Sequence, residues 1–229
     1  MRYILFVLMS ALFIQPVARA GESASPANTA ALVNGAVITT ADFRAELDRV
    51  LRLRNKSETG MEPAMLAMVK KEALDTLIGR ELLYQESRRN GISIPPAAVD
   101  NEVGRLRRHY ASDGDYRAAL AKLGLNDDMI KSQVERGMAI QSFIESKFGS
   151  KTTVTDDEAR SYYDSHQDSF RQAGQAGEGR SRAVLPFQAV RDRINRQLQR
   201  ERTLDELTPY LKQLRDAARV EIYLAGDTD

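Results

Sequence analysis

The segments that favour β-structure lie near the two ends of a chain that otherwise favours helices. Short apolar pairs at residues 32–33 and 37–38 flank Asn34-Gly35, a dipeptide typical of a tight β-hairpin. Residues 220–224 alternate between apolar and polar side chains, which favours a strand. An isolated hairpin and an isolated strand are each marginal in water. The sequence therefore predicts that they pair and close the two ends of the chain on each other.

Between these segments the apolar residues recur with helical spacing, and capping residues mark the helix starts. The fold class predicted is mainly α: several amphipathic helices with one small β element. In the longest helix, one broad apolar stripe is expected to face the core, formed by Met65, Met68, Val69, Ala73, Leu77, Ile78 and Leu82. The predicted helices follow Thr39 or Thr40 up to about residue 54, then span 62–89, 96–106, 116–123, 126–148, 155–163 and 186–214, with a break at Asp113-Gly114 and a kink or restart at Pro209.

Residues 1–20 have the pattern of a secretory signal peptide. Arg2 precedes an apolar run, Pro16 breaks it, and Ala18-Arg19-Ala20 is a small-x-small cleavage site. We expect cleavage after Ala20 and a periplasmic protein; an uncleaved N-terminal anchor is the alternative. No later apolar run reaches eighteen residues, so we expect no stable membrane insertion after cleavage.

Composition excludes several classes of chemistry. The 229 residues include no cysteine, which excludes disulfide frameworks, thiolate zinc sites and cysteine nucleophiles. Two histidines are too few for a histidine-rich metal site. A formal charge of +1 argues against nucleic acid as a partner.

No residue pattern predicts catalysis, a metal site or a cofactor site. His109 lies on a polar helix face and His166 at a helix end, where surface or capping roles are expected. The acidic groups 113/115, 127/128 and 156–158 each stand at a helix start, where helix capping explains them. The glycine run at 174–179 has neither the preceding strand nor the lysine of a phosphate-binding loop.

The methionines are the candidate binding residues. Methionine adapts to varied apolar partners and is over-used at promiscuous binding surfaces, although core packing is the more ordinary role of such a stripe. The residues we assign as candidate contacts for polypeptide clients are Met61, Met65, Met68, Met129 and Met138.

Several motifs, in their order along the chain, resemble the SurA-type periplasmic chaperones. Residues 32–43 are similar to the family's opening strand–turn–strand–helix, "V-N-G-x-x-I-T-x-x-D-F". PpiD- and PrsA-like foldases share the same scheme. Further matching segments lie at 74–92, 154–170, 186–194, 211–217 and 220–222.

The chain departs from that family at two places. Many relatives carry a parvulin-type prolyl isomerase domain between the segments that here end at Phe170 and start at Pro186, where this chain has fifteen residues. Such a stretch is too short to fold alone without disulfides or metal, and neither histidine matches the parvulin "H-I-L" strand. The isomerase activity therefore does not carry over. In addition, Pro95-Pro96 stands where relatives commonly place a Ser-Asp cap, so the start of that helix is expected to shift.

The resemblance implies a non-enzymatic, ATP-independent periplasmic holdase that needs no cofactor and binds unfolded exported or outer-membrane polypeptides. Two alternatives stay open: a dedicated assembly subunit of an envelope or secretion complex, and a prolyl isomerase-family foldase. A homodimer completed by swapped helices also stays open. The division expected is a signal peptide (1–20), a flexible linker (21–30), an N-terminal helical chaperone region (31–170), a glycine-rich loop (171–185), and a C-terminal helix and strand that complete the core (186–229).

Overall fold

The computed structural model describes residues 28–171 and 184–224. The predicted signal peptide and most of the predicted linker and glycine-rich loop lie outside the described residues. In chain order the elements are β1 (Thr29–Val33), β2 (Ala36–Thr39), α1 (Thr40–Leu53), α2 (Pro63–Arg89), α3 (Pro96–Arg107), α4 (Asp113–Lys122), α5 (Asp127–Phe148), α6 (Asp156–Ser165), α7 (Phe187–Ala217) and β3 (Val220–Ile222). The mainly α prediction is confirmed.

The predicted pairing of the chain ends is also confirmed. β1 is the central strand of a three-stranded antiparallel sheet of order β2-β1-β3. Val33 pairs with Ala36 of β2 on one side and with Val220 of β3 on the other. β1 begins at Thr29, within the last two residues of the segment predicted as linker. Its residues are largely buried, because both neighbouring strands and the first two helices cover it.

The hairpin turn links the sheet to α2 and to the returning chain. Asn34 and Gly35 adopt φ angles of 52° and 86°, the left-handed conformation that a two-residue hairpin needs. The Asn34 side chain donates to Gln85 Oε1 at 2.8 Å and accepts from the Arg219 backbone N–H at 2.9 Å. Gln85 in turn donates to the Val33 carbonyl at 2.9 Å. One turn residue therefore bonds to segments 51 and 185 positions away.

Two compact units divide the chain, one of Met1–Phe143 with Tyr210–Asp229 and one of Ile144–Pro209. The first has two hydrophobic clusters, one formed by the hairpin, α1 and α2, the other by α3, α4 and α5. In the second, α6 and the start of α7 pack around Phe170, Phe187 and Ile194. The boundaries between these units lie within α5 and α7, whereas the domain boundaries expected from the sequence lie at the glycine-rich loop. The domain division expected from the sequence therefore stays a prediction.

The structure corrects three local predictions. Asp113-Gly114 does not break the chain but begins α4, because the Ser112 hydroxyl accepts the Asp115 N–H at 3.1 Å and caps the helix. Leu123, predicted as the last residue of that helix, follows its end and is 67% exposed. α7 does not restart at Pro209, since buried Leu207 before it and Leu211 after it both lie within one continuous helix. By contrast, the predicted start of α3 at Pro96 is confirmed, although this helix has no side-chain cap.

A buried ionic cluster fastens α1 to α2. The Glu46 side chain is fully buried and accepts from Arg49 Nε at 3.0 Å and from Arg80 Nη1 at 3.2 Å. Burial lowers the pKa of Arg80, and the Glu46 carboxylate opposes that shift. The spacing of 34 residues between Glu46 and Arg80 gives no local signal, so sequence reasoning missed this cluster.

The first prediction concerns this carboxylate. Glu46→Gln removes the buried carboxylate that Arg49 and Arg80 share, a change that typically destabilises by about 3–5 kcal/mol. Urea denaturation measures the loss. The matched control is Asp216→Asn, which removes the carboxylate of the exposed Lys212–Asp216 pair and should alter stability by less than about 0.5 kcal/mol. Equal effects of the two substitutions would contradict the ionic role of Glu46.

The second prediction concerns the turn. Asn34→Ala removes both side-chain hydrogen bonds and replaces asparagine, which tolerates positive φ, with a residue that does so less readily; together these changes cost about 2–4 kcal/mol of stability. Asn34→Gly removes the same hydrogen bonds but keeps the turn conformation accessible, so it should destabilise by clearly less. Thermal unfolding of both variants separates the two contributions. If the alanine variant were as stable as the glycine variant, the conformation of the turn would contribute nothing to the stability of the protein.

Candidate functional site

The structure separates the five candidate methionines into buried and exposed groups. Met61 is half-buried and packs against the hairpin–α1–α2 cluster, whereas half-buried Met138 packs against the cluster of α3, α4 and α5. Met129, near the start of α5, is also half-buried. Met65 and Met68 are 48% and 67% exposed. The predicted apolar stripe of α2 is therefore correct from Val69 onward but wrong at these first two positions, which do not enter the core.

The end of α7 explains why Met68 is exposed. On α2, Met68 shares one line along the helix with Asp75, Gly79 and Glu86, which follow it at 7, 11 and 18 residues. α7 covers the last three of these positions: Arg215 reaches Asp75, Leu211 lies against Gly79, and Tyr210 reaches Glu86. Since α7 ends two residues beyond Arg215, it leaves the first turns of α2 uncovered.

Close packing and a hydrogen bond fix α7 along this line. A β-carbon at Gly79 would lie 3.7 Å from Leu211 Cδ2, an ordinary van der Waals distance, so Leu211 lies directly over this position of α2. Tyr210 donates to Glu86 Oε1 at 2.9 Å. Burial, together with this hydrogen bond, raises the pKa of Tyr210 to about 12, so the phenol stays protonated and remains a donor.

Charged pairs surround the exposed methionines. Asp75 accepts from Lys71 Nζ at 2.7 Å through one oxygen and from Arg215 Nη1 at 2.9 Å through the other. Arg54, just after α1, pairs with Glu72 on the neighbouring stripe of α2. We name the exposed side chains of Met65 and Met68, with Lys71 beside them, the Met65–Met68 surface. It offers apolar contact area beside charge and holds no obvious reactive group.

His166 and the acidic groups occupy the positions that the sequence predicted, whereas His109 lies two residues beyond the end of α3 and not on a helix face. His109 is exposed, with Nδ1 3.0 Å from the Arg105 carbonyl oxygen, and exposed His166 follows α6 and stacks on Tyr162 at 4.0 Å. The acidic residues 113/115, 127/128 and 156–158 lie in the first turns of α4, α5 and α6. Glu158 illustrates their role: hydrogen bonds from Arg202 and from Thr155 lower its pKa to about 2. Within residues 28–171 and 184–224, no group of three or more histidines and carboxylates could hold a metal ion.

The place where relatives insert an isomerase domain is closed at its base. Arg171 and Val184 form an isolated antiparallel bridge, and the Leu185 N–H donates to the Phe170 carbonyl at 2.9 Å. Tyr163 donates its hydroxyl to the Leu185 carbonyl at 2.8 Å. The residues on either side of 172–183, a segment outside the described part, are thus bonded to one another. None of the described helices is long and apolar enough to cross a bilayer.

Asp42 is the buried carboxyl with a displaced pKa. It completes a capping box at the start of α1: its Oδ2 accepts the Thr39 N–H at 2.9 Å, and its own N–H donates to Thr39 Oγ1 at 3.0 Å. The second oxygen, Oδ1, is buried without a hydrogen-bond partner among the described residues. Burial raises the pKa of Asp42, and the bonds to Thr39 reverse only part of that rise. The local geometry therefore explains Asp42 as a helix cap.

The third prediction follows from the direction of this shift. A folded-state pKa above the unfolded value means that Asp42 favours folding below the unfolded pKa, and that this contribution is lost as the pH rises through the folded pKa. Asp42→Asn cannot titrate, so its free energy of unfolding relative to the parent protein should rise between pH 3 and pH 7. Urea denaturation at both pH values measures the difference. A difference that is constant or falls with pH would contradict the raised pKa.

Comparison with known proteins relates residues 1–144 to the model of the SurA-like N-terminal domain family. A Chaperone SurA of Chromobacterium violaceum is 26% identical over 129 residues, covering 56% of this chain and 30% of that protein. A Foldase protein PrsA of Caldanaerobacter subterraneus is 24% identical over 149 residues, covering 61% of this chain and 43% of that protein. The chain thus spans less than half the length of these relatives.

A solved structure is also similar at the level of the chain path. It comes from work on two SurA-like chaperones of Campylobacter jejuni and aligns with a TM-score of 0.48 at 12% identity. The alignment covers 86% of this chain and 99% of the other.

Proposed function

Since this chain belongs to the SurA-like N-terminal domain family, we propose that it acts as an ATP-independent periplasmic chaperone. It holds unfolded exported or outer-membrane polypeptides and catalyses no prolyl isomerisation. The names of its relatives, chaperone and foldase, support the general role. The observation that carries the holding role is the exposed pair Met65 and Met68 on a helix whose later apolar residues, from Val69 onward, are buried.

Binding at such a surface is weak enough to reverse without a nucleotide. Fully burying a methionine side chain contributes about 1.5–3 kcal/mol, and these two residues are already partly buried. The pair can therefore contribute roughly 2–3 kcal/mol to the free energy of client binding. Each 1.4 kcal/mol corresponds to about a tenfold increase in affinity. Contacts of this size favour repeated capture and release. Methionine's flexible thioether side chain suits clients of differing sequence.

The export of the chain is part of the proposal. The apolar run of residues 1–20 and its Ala18-Arg19-Ala20 site support secretion across the inner membrane, with cleavage after Ala20. The absence of cysteine suits an oxidising compartment, because no thiol is present to form wrong pairs.

The fourth prediction tests holding. The purified chain in excess should slow the aggregation of an outer-membrane protein diluted from urea, measured by light scattering. The double variant Met65→Ala/Met68→Ala should lose much of this effect. Leu123→Ala is the matched control, since Leu123 is as exposed as Met68 but follows the end of α4. Equal aggregation with and without the parent chain would overturn the proposed function.

The fifth prediction tests the missing catalysis. In a protease-coupled assay with an X-Pro peptide, the chain should leave the isomerisation at its uncatalysed rate of tens to hundreds of seconds. The paired ends of the 171–184 segment and its short length support this expectation. An authentic parvulin serves as the positive control. A concentration-dependent acceleration by this chain would establish a foldase activity instead.

Crosslinking in cells separates a general chaperone from a dedicated assembly subunit. The proposal predicts many client adducts of different mass. One dominant adduct would favour the single-partner alternative.

A further inference from the structure

The electrostatics beside Met68 narrow the kind of client that this surface fits. Asp75 is shared by two cations, Lys71 and Arg215, so the three side chains carry one positive charge in excess. Neither cation has a second carboxylate partner among the described residues. The Lys71 side chain is 74% exposed and therefore accessible to an incoming group.

Lys71 is also the charged group placed to meet a ligand of the methionines. It follows Met68 by three residues on the same helix, a spacing that puts the two β-carbons about 5–6 Å apart. On the other flank, Arg54 and Glu72 neutralise one another. A segment that covers Met68 thus meets an unbalanced cation on one side and a neutral pair on the other, while the Glu62 carboxylate, which accepts the Met65 N–H at 3.1 Å, lies at the Met65 end.

The packing of α7 shows what kind of neighbour this stripe of α2 accepts. There the chain places an apolar residue, Leu211, against Gly79 and a charged residue, Arg215, one turn further along against Asp75. On the covered part of α2, Asp75 binds a cation from α7. On the uncovered turns the charged group is Lys71, so a segment that covers them would bind it through a carboxylate. The stripe thus combines apolar contact with one charged contact.

We propose that the Met65–Met68 surface prefers polypeptide segments in which an acidic residue lies close to a large apolar residue. The apolar side chain covers the two methionines, and the carboxylate binds Lys71 in the excess positive field of Lys71 and Arg215. This inference rests on the proposed holding function and specifies the client of the same surface. The preference weakens with salt, because the pair is solvent-exposed and screened.

The test uses two labelled peptides that differ only in Glu against Gln beside a central Leu-Leu pair. Fluorescence anisotropy with the full chain should show about three- to tenfold tighter binding of the Glu peptide in low salt. The preference should fall towards unity in 0.5 M NaCl. Equal affinities in low salt would overturn the inference.

Two lysine variants locate the preference. Lys71→Gln should weaken binding of the Glu peptide to the level of the Gln peptide, while the Gln peptide is unaffected. Lys212→Gln is the matched control, because Lys212 forms a similar exposed pair with Asp216, four residues on, in α7. Circular dichroism confirms that both variants fold. Equal loss with both peptides, or the same loss in Lys212→Gln, would overturn the assignment.

The outcomes of these experiments distinguish failure of the charge preference from failure of the proposed holding function. If Met65→Ala/Met68→Ala abolishes aggregation suppression while both peptides bind equally, the charge preference fails and the holding function stands. If aggregation is never suppressed, both fail. Dimerisation that Met68→Ala abolishes in sedimentation, or flotation with anionic vesicles that Lys71→Gln abolishes, would assign the surface to a second copy or to a membrane and overturn the proposal.

Discussion

The first compact unit depends on β1, which pairs with the adjoining β2 and also with β3 from the far end of the chain. Asn34 secures this closure by bonding to α2 and to Arg219 at once. Because β3 is held at β1, the segment before it, from Tyr210 to Ala217, must lie near α2. The contacts of Tyr210, Leu211 and Arg215 with α2 follow from that constraint.

The same constraint leaves a surface uncovered. α7 must end at Ala217 so that the chain can turn into β3, and α2 extends further than α7 covers. Met65 and Met68 are exposed for this reason, not because the helix lacks a packed face, since Val69, Ala73 and Ile78 are fully buried. Both methionines lie in the regular helix α2, whose later turns are buried. A rigid apolar surface binds with less entropic loss than one that must be ordered first.

Local signals predicted much of the fold, because the physics behind them is local. Thr39 and Thr155 form capping boxes with the residue three positions on, and Asn126 caps α5 through Met129. The turn at Asn34-Gly35 likewise depends on two adjacent residues. The pairing of hairpin and C-terminal strand could also be predicted, because neither element is stable alone.

Features that depend on partners distant in sequence could not be predicted. The sequence of the stripe through Met65 and Met68 is the same whether or not another helix covers it. The position at which α7 ends determines that these two methionines are exposed. The contact between Asp75 and Arg215 joins residues 140 positions apart, so the shared carboxylate gives no signal in either segment. The resemblance to chaperones indicated a binding role but did not indicate which surface of the protein binds clients.

The central claim is that unfolded clients contact the first turns of α2. A photo-crosslinking residue placed at position 65 or 68, and separately at position 123, an apolar site just after α4 that is as exposed as Met68, tests it directly. With an unfolded outer-membrane protein, the account predicts adducts at 65 and 68 that far exceed those at 123. Equal adducts at all three positions, or adducts at 123 alone, would contradict it.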